Sequence, residues 1–344
     1  MKKLIAILSA ILLVAFTGKE IYVLQFPTYF PKPAYDLTKN PLSPEKIELG
    51  KVLFYDPILS ADNTISCSSC HSSYNAFAHT DHALSHGISD KIGTRNAPAL
   101  FNLAWQQSFM WDGAVNHLDV QALAPIAHPK EMAEKIENVV RKLQNSKLYP
   151  KLFLKAYNDS IITGERILKA LSQFQLTLVS ANSKYDKVKQ KKEKFTEQEE
   201  KGYKLFQKNC NSCHTEPLFS NYTFANNGLP TDTTLNDRGK WTITKQSVDS
   251  LKFKVPSLRN LTYTYPYMHD GRFTKLSQVL NHYATGIKQS PTLSKELKTP
   301  INLNSDEKAD LIAFLLTLND PAFTFDPKFS FPKEILLPGA GKEK

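Results

Sequence analysis

The placement of the four cysteines constrains this chain more than any other feature of its sequence. All four fall in two copies of the pattern C-x-x-C-H, the attachment pattern of c-type haem. Cysteines three positions apart lie on one face of a helical turn, so both sulfurs can bond one haem while the following histidine binds its iron. We therefore expect two covalent c-type haems. The motif residues are Cys67, Cys70 and His71, and Cys210, Cys213 and His214.

Other uses of four cysteines fit this pattern less well. Two disulfides are the ordinary expectation for an exported chain, but the positions of the cysteines fit haem attachment instead. A zinc site made from two C-x-x-C pairs usually has about 15–20 residues between the pairs, and far more residues separate Cys70 from Cys210. A thioredoxin-type redox pair would not need a trailing histidine twice. Haem attachment is therefore the interpretation that accounts for every cysteine.

A similar helix is predicted before each haem motif. The first begins at Ser43, a predicted N-cap with Pro44 at the first helical position. The second begins at Thr196 with the sequence of a capping box. Both contain the sequence G-x-x-L-F, at Gly50 and at Gly202. Together with the two C-x-x-C-H motifs, this short repeat predicts two haem domains of one type.

The distribution of elements predicts a mainly α fold with two c-type cytochrome domains. We expect the first haem domain over residues 43–186 and the second over residues 195–320. The highly charged segment from Lys184 to Lys194 is the predicted linker between them. Residues 321–344 contain four prolines and are predicted to form an extended tail.

Composition supports two folded domains and indicates the charge of the partners. Of 344 residues, 41% are hydrophobic, which is enough to fill cores and argues against a disordered chain. Lys and Arg number 43 against 33 Asp and Glu, a net charge of +10. This surface favours anionic partners, such as an acidic redox protein or lipid headgroups. Because the chain contains no nucleic-acid-binding module, we expect no nucleic-acid partner.

Residues 1–26 predict export of the chain. Two lysines precede the apolar run from Leu4 to Phe16, as is typical of a secretory signal peptide. The sequence offers only a poor cleavage site, and apolar residues return after Glu20. An uncleaved membrane anchor is therefore the alternative. In either case we expect the folded domains in the periplasm.

Further motifs carry a resemblance to a known family. They are LFYD at 53–56, RNAP at 95–98, WDG at 111–113 and YPYMHDG at 265–271. Over about residues 43–320 the chain resembles the bacterial dihaem cytochrome c peroxidases, which include the MauG group. The resemblance implies a peroxidatic N-terminal haem, a C-terminal haem that relays or stores an electron, and a calcium ion between the domains. Dimers are common in this family.

Three residues match family positions near the first haem. Trp111 matches the tryptophan between the haems, which implies electron relay; the alternative is a core tryptophan. Gln121 and Glu131 match positions of the distal pocket. Glu131 would be the acid–base group, because one carboxylate within reach of both peroxide oxygens can carry a proton between them. Alternatively, Glu131 is an ordinary charge at a helix N-terminus.

The resemblance also implies a set of calcium ligands. Asn96 matches the side-chain ligand, and Thr264 and Pro266 match the residues whose main-chain carbonyls bind the ion. Oxygen ligands of this kind suit Ca²⁺. The alternative is that these are ordinary turn residues, as Pro and Asn commonly are.

The first departure from the family concerns the distal histidine. Resting peroxidases often hold a histidine on the N-terminal haem that leaves on activation. His86 is the nearest candidate for this iron ligand, but it lies ten residues before Asn96, two more than expected. It could equally be a loop histidine. His79 and His82 are placed less well for the same role.

The second departure concerns the sixth ligand of the C-terminal haem. The peroxidases have a methionine at this position, whereas the aligned residue here is Tyr283, as in the MauG group. Met268 lies in a turn where an apolar residue is usual, and His282 should point elsewhere because helix neighbours diverge by about 100°. A thioether raises the haem potential, whereas a phenolate oxygen favours Fe(III) and higher states. Tyr283 therefore favours a haem that shares oxidising equivalents with the first haem through Trp111.

Three functions remain open at this point. The first is a peroxidase that reduces hydrogen peroxide at the His71 haem with electrons from a small cytochrome c or cupredoxin. The second is a MauG-like enzyme in which peroxide forms a high-valent dihaem state that oxidises a side chain of a protein substrate. The third is a non-enzymatic dihaem electron carrier with both irons six-coordinate.

Overall fold

The computed structural model describes residues 22–338, so residues 1–21 of the predicted export segment lie outside the described part. Within residues 22–338, no helix is both long enough and apolar enough to cross a membrane. The described chain is mainly helical, as predicted. Strands β1 (Phe224–Ala225) and β2 (Phe253–Lys254) form a two-stranded antiparallel sheet.

The N-terminal half of the chain is mainly helical, and one of its helices carries the two cysteines of the first haem motif. The helices of this half are α1 (Pro44–Tyr55), α2 (Cys67–Cys70), α3 (Leu118–Gln121), α4 (Leu123–Ala127), α5 (Ile136–Gln144), α6 (Tyr149–Tyr157) and α7 (Gly164–Leu176).

The C-terminal half of the chain contains the second haem motif and two long helices. The helices of this half are α8 (Lys184–Lys189), α9 (Glu197–Asn209), α10 (Trp241–Thr244), α11 (Leu276–Asn281), α12 (Ser305–Leu316), α13 (Pro321–Thr324) and α14 (Lys333–Leu336).

Short 3₁₀ turns and one π-helical turn connect these elements. They are Pro57–Leu59, Ser73–Asn75, Ile88–Asp90, Leu103–Trp105, Ser247–Asp249, Leu261–Tyr263, the π turn His282–Gly286, Lys295–Leu297 and Pro327–Phe329.

The predicted starts of α1 and α9 are confirmed. The Ser43 hydroxyl accepts a hydrogen bond from the Lys46 main-chain N–H, and Pro44 is the first helical residue. The Thr196 side chain accepts from the Glu199 N–H, and the Glu199 carboxylate accepts from the Thr196 N–H. Each cap satisfies main-chain donors that the first turn of a helix leaves without partners.

Each half is built on one close crossing of two helices. Helix α1 crosses α7 at Gly50, where an added Cβ would lie 1.9 Å from the Ala170 carbonyl oxygen. Helix α9 crosses α12 at Gly202, where an added Cβ would lie 1.9 Å from the Asp310 carbonyl oxygen. Only glycine permits so close an approach of two backbones. The G-x-x-L-F repeat therefore marks the helix crossing of two equivalent domains.

Three aromatic rings fill the space beside each crossing. The rings contact one another edge to face in the first domain and at a tilt in the second, with centroids 5.1–6.3 Å apart. All are buried. The rings are Phe54, Phe77 and Phe174 in the first domain, and Phe206, Phe219 and Phe314 in the second.

An asparagine in the left-handed conformation repeats as well. The N–H of Asn102 donates to the Leu178 carbonyl at 2.8 Å, and the N–H of Asn260 donates to the Leu318 carbonyl at 3.2 Å. Both asparagines are buried and have positive φ, a conformation that asparagine tolerates better than most residues. The two domains therefore share this asparagine conformation and its main-chain hydrogen bond as well as the haem motif.

The prediction of an extended tail is wrong for its described part, residues 321–338. Short helices form there, and Phe323 and Phe329 are buried against the core of the first domain. The Tyr55 hydroxyl donates to the Phe329 carbonyl at 2.5 Å. The prolines do not keep this segment extended, because proline also suits the first position of a helix, as Pro321 does in α13.

The predicted linker is also more ordered than its charge indicated. Within Lys184–Lys194, residues 184–189 form α8, and the Tyr185 side chain is buried in the core of the second domain. Asp186 is buried too, and its carboxylate accepts two hydrogen bonds from Arg259, each at 2.7 Å. The lysines of α8 lie toward solvent, while Tyr185 and Asp186 lie inside. The high charge of the segment therefore does not indicate that part of it is a packed helix.

Candidate haem sites and the interface between them

The first C-x-x-C-H motif lies in α2 and the residue after it. Ser66 and Ser69 form a capping box at the start of this helix. The Nδ1 atom of His71 lies 3.0 Å from the Phe77 carbonyl oxygen, so the ring N–H donates to that carbonyl. The Nε2 atom, which would bind iron, is left free in the described chain. Such a hydrogen bond fixes the tautomer and orientation of a ligating histidine.

The second motif holds its histidine in the same way. Nδ1 of His214 lies 3.1 Å from the Pro256 carbonyl oxygen and 3.3 Å from that of Phe219. Burial lowers the pKa of His71 and of His214 to about 4. Both rings are therefore neutral near pH 7, which is the form that binds a metal.

The cysteines fit haem attachment rather than disulfide formation. None of Cys67, Cys70, Cys210 and Cys213 forms a disulfide. Burial raises the pKa of Cys67 to about 12 and that of Cys70 to about 11, so the thiols are protonated. A pair of free thiols followed by a neutral, oriented imidazole is the donor set that a c-type haem needs.

Glu131 lies beside the first motif. Its main-chain carbonyl accepts a hydrogen bond from the Ile88 N–H at 2.8 Å, and a Cβ on Gly87 would lie 2.5 Å from the Glu131 Cα. The adjacent His86 carbonyl lies 3.5 Å from the Cys70 sulfur. Glu131 is also close enough for its charge to raise the pKa of both Cys67 and Cys70. The loop before Ile88 thus holds Glu131 against the haem-attachment helix.

The environment of Glu131 favours its protonated form. Burial raises the pKa of this carboxyl, and the positive charge of His128 partly opposes that rise. Nδ1 of His128 lies 3.7 Å from a carboxylate oxygen of Glu131. The carboxyl side chain is 31% exposed, so it remains accessible to a small molecule. A carboxyl of raised pKa that water can reach is suited to exchange protons.

His86 belongs to a row of stacked histidines. Its Nδ1 atom lies 2.6 Å from Asp90, and its ring stacks on that of His82 with centroids 4.2 Å apart. The ring of His82 stacks in turn on that of His79. The His86 Nε2 atom has no partner among the described residues, so ligation of iron by His86 stays a prediction.

Gln121 is the last residue of α3. Its side-chain NH₂ lies 3.7 Å from the Met110 sulfur. Met110 immediately precedes Trp111, so Gln121 contacts the segment that carries the proposed relay residue.

Trp111 lies at the interface between the domains. Its indole N–H donates to the Asn96 carbonyl at 2.8 Å, within the first domain. Its main-chain carbonyl accepts from the N–H of Lys254, in the second domain, at 2.8 Å. Trp105, in contrast, is buried in the first core and donates to the Pro31 carbonyl. The structure therefore separates an interface tryptophan from a core tryptophan.

The contact made by Trp111 has a counterpart across the interface. The Asn96 N–H donates to the His269 carbonyl at 2.7 Å, just as the Lys254 N–H donates to the Trp111 carbonyl. Asn96 and Lys254 lie 158 positions apart in the chain, as do Trp111 and His269. Residues 95–113 and 253–271 are therefore equivalent segments that pair with one another at the interface.

Sequence reasoning missed this second repeat, although a signal was present. Both segments contain P-x-L-x-N-L followed by M-x-D-G at the same spacing. Their turns repeat as well, with isolated bridges between Phe109 and Val115 and between Tyr267 and Phe273. The match is hard to recognise in the sequence because most of the other positions differ.

The proposed calcium ligands offer oxygens that lack hydrogen-bond donors. Asn96 is buried, and its side-chain NH₂ donates to the Ala83 carbonyl at 3.0 Å, which leaves Oδ1 as an acceptor. Within residues 22–338, no N–H or O–H donates to Asn96 Oδ1 or to the carbonyls of Thr264 and Pro266. One amide and two carbonyl oxygens without donors are the hard, neutral ligands that Ca²⁺ accepts.

Lys254 points its amino group into the other half of this interface. Its Nζ donates to the Gln106 side-chain oxygen at 2.7 Å and to the Ser108 carbonyl at 3.1 Å. Burial lowers the pKa of Lys254 to about 7, and the charge of Asp112 partly opposes that fall. No sequence motif singles out this lysine.

Tyr283 lies near the second motif. Tyr283 is the second residue of the π turn His282–Gly286, a type of turn often found at functional sites. Burial raises the pKa of Tyr283 to about 12; a hydrogen bond with Asn227 opposes the rise, and charge on Cys210 and Cys213 contributes to it. The phenol is therefore close to both thiols of the second motif.

The two other candidates for that ligand are already occupied. His282 Nε2 lies 3.0 Å from the Asn227 carbonyl, and the planes of the His282 and Tyr283 rings are 62° apart. The Met268 sulfur accepts a hydrogen bond from the Asn227 side-chain NH₂ at 3.5 Å. Tyr283 is hydrogen-bonded to the Asn227 side chain as well, so the ligation of iron by Tyr283 stays a prediction.

Family profiles match both halves of the chain. The profile of di-haem cytochrome c peroxidase matches residues 44–194, and that of cytochrome c matches residues 199–319. Each match contains one C-x-x-C-H motif, and their boundary falls after α8 and before α9.

Individual proteins give the same result over most of the chain. Methylamine utilization protein MauG from Methylorubrum extorquens is 37% identical over 296 residues, which cover 82% of this chain and 81% of that protein. Cytochrome c551 peroxidase from Nitrosomonas europaea is 34% identical over 298 residues, covering 85% and 84%. The crystal structure of a MauG-like protein associated with microbial copper homeostasis has a TM-score of 0.79 at 31% identity, covering 90% of this chain and 99% of that one.

Proposed function

This chain belongs to the di-haem cytochrome c peroxidase family of oxidoreductases, and we propose that it reduces hydrogen peroxide to water with electrons from a small redox protein. The observation that carries this proposal is the position of Glu131, a partly accessible carboxyl of raised pKa held beside the first haem motif. Reduction of one peroxide consumes two electrons and two protons and yields two water molecules.

The haem ligands follow from the two motifs. Cys67, Cys70 and His71 would hold the peroxidatic haem of the first domain, residues 43–186. The second haem would be held by Cys210, Cys213 and His214 in residues 195–320, with Tyr283 as a further ligand to its iron. When bound, the haems supply redox-active iron.

Glu131 would move the protons at the first site. Peroxide loses a proton from one oxygen as it binds, and its other oxygen must gain a proton to leave as water. A carboxyl within reach of both oxygens can take the first proton and give it to the second. Gln121, which lies near Met110, would help to orient the peroxide.

Trp111 would carry electrons between the domains. Its indole ring is fixed by the Asn96 carbonyl on one side, and its main chain is fixed by Lys254 on the other. A calcium ion bound by Asn96, Thr264 and Pro266 would hold the same interface. The donor would be a small cytochrome c or cupredoxin, and the positive net charge favours an acidic one. The reaction would take place in the periplasm.

Glu131→Gln tests the proposal. It keeps the size of the side chain but removes its ability to exchange protons, so we expect peroxide turnover to fall by about 10²- to 10⁴-fold. Covalent haem content should not change. Glu137→Gln, at an exposed site on α5, is the matched control. Wild-type turnover in Glu131→Gln with both haems attached would remove Glu131 from the reaction.

A second candidate function rests on Tyr283. A phenolate ligand stabilises oxidised iron, which makes the second haem a poor acceptor of electrons from a high-potential donor. Under this alternative the chain is MauG-like, and it uses peroxide to oxidise a side chain on a protein substrate. The position of Tyr283, buried and close to both thiols of the second motif, supports this alternative.

Reaction with peroxide separates the two candidates. A peroxidase consumes peroxide continuously when a reduced cytochrome c is supplied. A MauG-like enzyme turns over little with that donor and instead keeps a long-lived oxidised state after one equivalent of peroxide. Neither behaviour would be seen in an electron carrier with both irons six-coordinate.

A further inference from the structure

The amino group of Lys254 lies where the internal repeat would place a second calcium ion. Lys254 is the equivalent of Asn96 in the two paired segments, residues 95–113 and 253–271. The oxygens that bind its Nζ belong to Gln106 and Ser108. Gln106 and Ser108 are in turn the equivalents of Thr264 and Pro266, the other two proposed calcium ligands.

The correspondence extends to every member of the proposed site. In one half, the Asn96 amide oxygen and two carbonyl oxygens lack donors, which suits a bound cation. In the other half, the same positions supply an amide oxygen and a carbonyl oxygen, and the lysine brings the positive charge with it. One difference is that Gln106 contributes its side chain, whereas Thr264 would contribute its main chain.

We propose that the ammonium of Lys254 is the covalent counterpart of the calcium ion and that it holds the Trp111 segment without a metal. Its Nζ binds the chain at Gln106 and Ser108, three to five residues before Trp111, while its N–H binds the Trp111 carbonyl. Lys254 is therefore a positioning residue for Trp111. The calcium half of the comparison rests on the proposed function, whereas the Lys254 half rests on its own contacts.

Hydrogen–deuterium exchange of the haem-loaded protein tests this at pH 6, where the amine is protonated. In wild type, chelation with EGTA should speed amide exchange in residues 264–271 but not in residues 106–113. Lys254→Met should speed exchange in 106–113 by about 10- to 100-fold even with calcium present, the factor expected for loss of a hydrogen bond to a charged group. Lys254→Arg retains the charge and should protect 106–113.

Exchanging the two equivalent residues provides the matched variants. Asn96→Lys should abolish calcium binding, measured by isothermal titration with CaCl₂, and make protection of 264–271 independent of EGTA. Lys254→Asn should raise the stoichiometry by one ion and make protection of 106–113 dependent on calcium.

Unchanged exchange of 106–113 in Lys254→Met would overturn the proposal, and so would an unchanged calcium stoichiometry in Lys254→Asn. If wild type binds no calcium and 264–271 ignores EGTA, the calcium site of the proposed function fails. The Lys254→Met result still decides the role of Lys254 in that case.

Discussion

Main-chain carbonyls orient the haem-motif histidines of both domains. The carbonyls of Phe77 and Pro256 each hold the Nδ1 of a haem-motif histidine, so each imidazole presents Nε2 to the haem. A hydrogen bond of this kind sets which ring nitrogen of a ligating histidine is left to bind the metal. The C-x-x-C-H spacing predicts which histidines bind, but the carbonyls that orient them come from loops whose course the motif does not reveal.

Tyr283→Met should raise the reduction potential of the second haem. A thioether stabilises Fe(II) relative to a phenolate, and axial ligands span about 0.8 V in haem proteins, so we expect a shift on the order of 0.1 V. A spectroscopic redox titration measures it. Tyr267→Phe removes a hydroxyl that binds only the Leu261 carbonyl and serves as the control. An unchanged titration would exclude Tyr283 as a ligand.

The rate of peroxide cleavage should depend on pH through Glu131. Burial raises the pKa of this carboxyl, and its ionised form accepts the peroxide proton, so the rate should rise with pH through that raised pKa. Protonated His128 lowers the same pKa. His128→Asn should therefore move the rising limb of the profile to higher pH, as stopped-flow rates would show. A limb that does not move, or one that persists in Glu131→Gln, would contradict this assignment.

The spacing within a motif identifies individual candidate residues. Contacts between segments far apart in the chain cannot be predicted from such spacing. Gln106 and Lys254 are 148 positions apart, and neither belongs to a recognisable motif. Only the paired segments of the folded chain bring the lysine to its carbonyl partners. The roles of Glu131, Trp111 and Tyr283 stay predictions.

For the helices, local sequence patterns predict where an element begins but not which of its side chains are buried by distant parts of the chain. Caps at Ser43 and Thr196 were predictable because they depend on residues within one turn. The interior of α8 was not, because Tyr185 and Asp186 are buried by contacts with residues far along the chain. For the same reason the tail beyond Pro321 was predicted to be extended, although its phenylalanines pack on the first domain.

Gly50→Ala and Gly202→Ala should each destabilise one helix crossing. Alanine favours an exposed helix by about 1 kcal/mol over glycine. Here its methyl group would lie 1.9 Å from a carbonyl oxygen, and such overpacking costs about 1–3 kcal/mol. Denaturant unfolding of the haem-loaded protein measures the difference. A gain in stability in either variant would show that the helices can separate without penalty.

At the scale of the whole molecule, the two domains are joined by equivalent surfaces. Segments 95–113 and 253–271 exchange main-chain hydrogen bonds, and Arg95 binds both Asp112 of its own domain and Asp237 of the other. Trp111 therefore lies within the interface between the two domains. The sequence predicted two domains of one type, but the way in which they pair became evident only from the folded chain.

Arg259→Met should destabilise the whole molecule. Arg259 and Asp186 are fully buried, and the Tyr29 hydroxyl also donates to Asp186, so this pair joins three parts of the chain. Removal of the guanidinium leaves a buried carboxylate without its partner, at a cost of about 3–5 kcal/mol. Chemical denaturation measures the loss. Glu197→Gln, which breaks an exposed pair with Lys201, should change little, and an equal effect of both variants would contradict this account.

Whether this chain is a dihaem enzyme that reacts with peroxide is decided by a spectroscopic redox titration of the purified protein, followed by cyanide and by one equivalent of peroxide. We expect two haems with separate potentials, of which one is high-spin and binds cyanide, and we expect peroxide to oxidise the protein. Two six-coordinate low-spin haems that ignore both cyanide and peroxide would contradict this expectation.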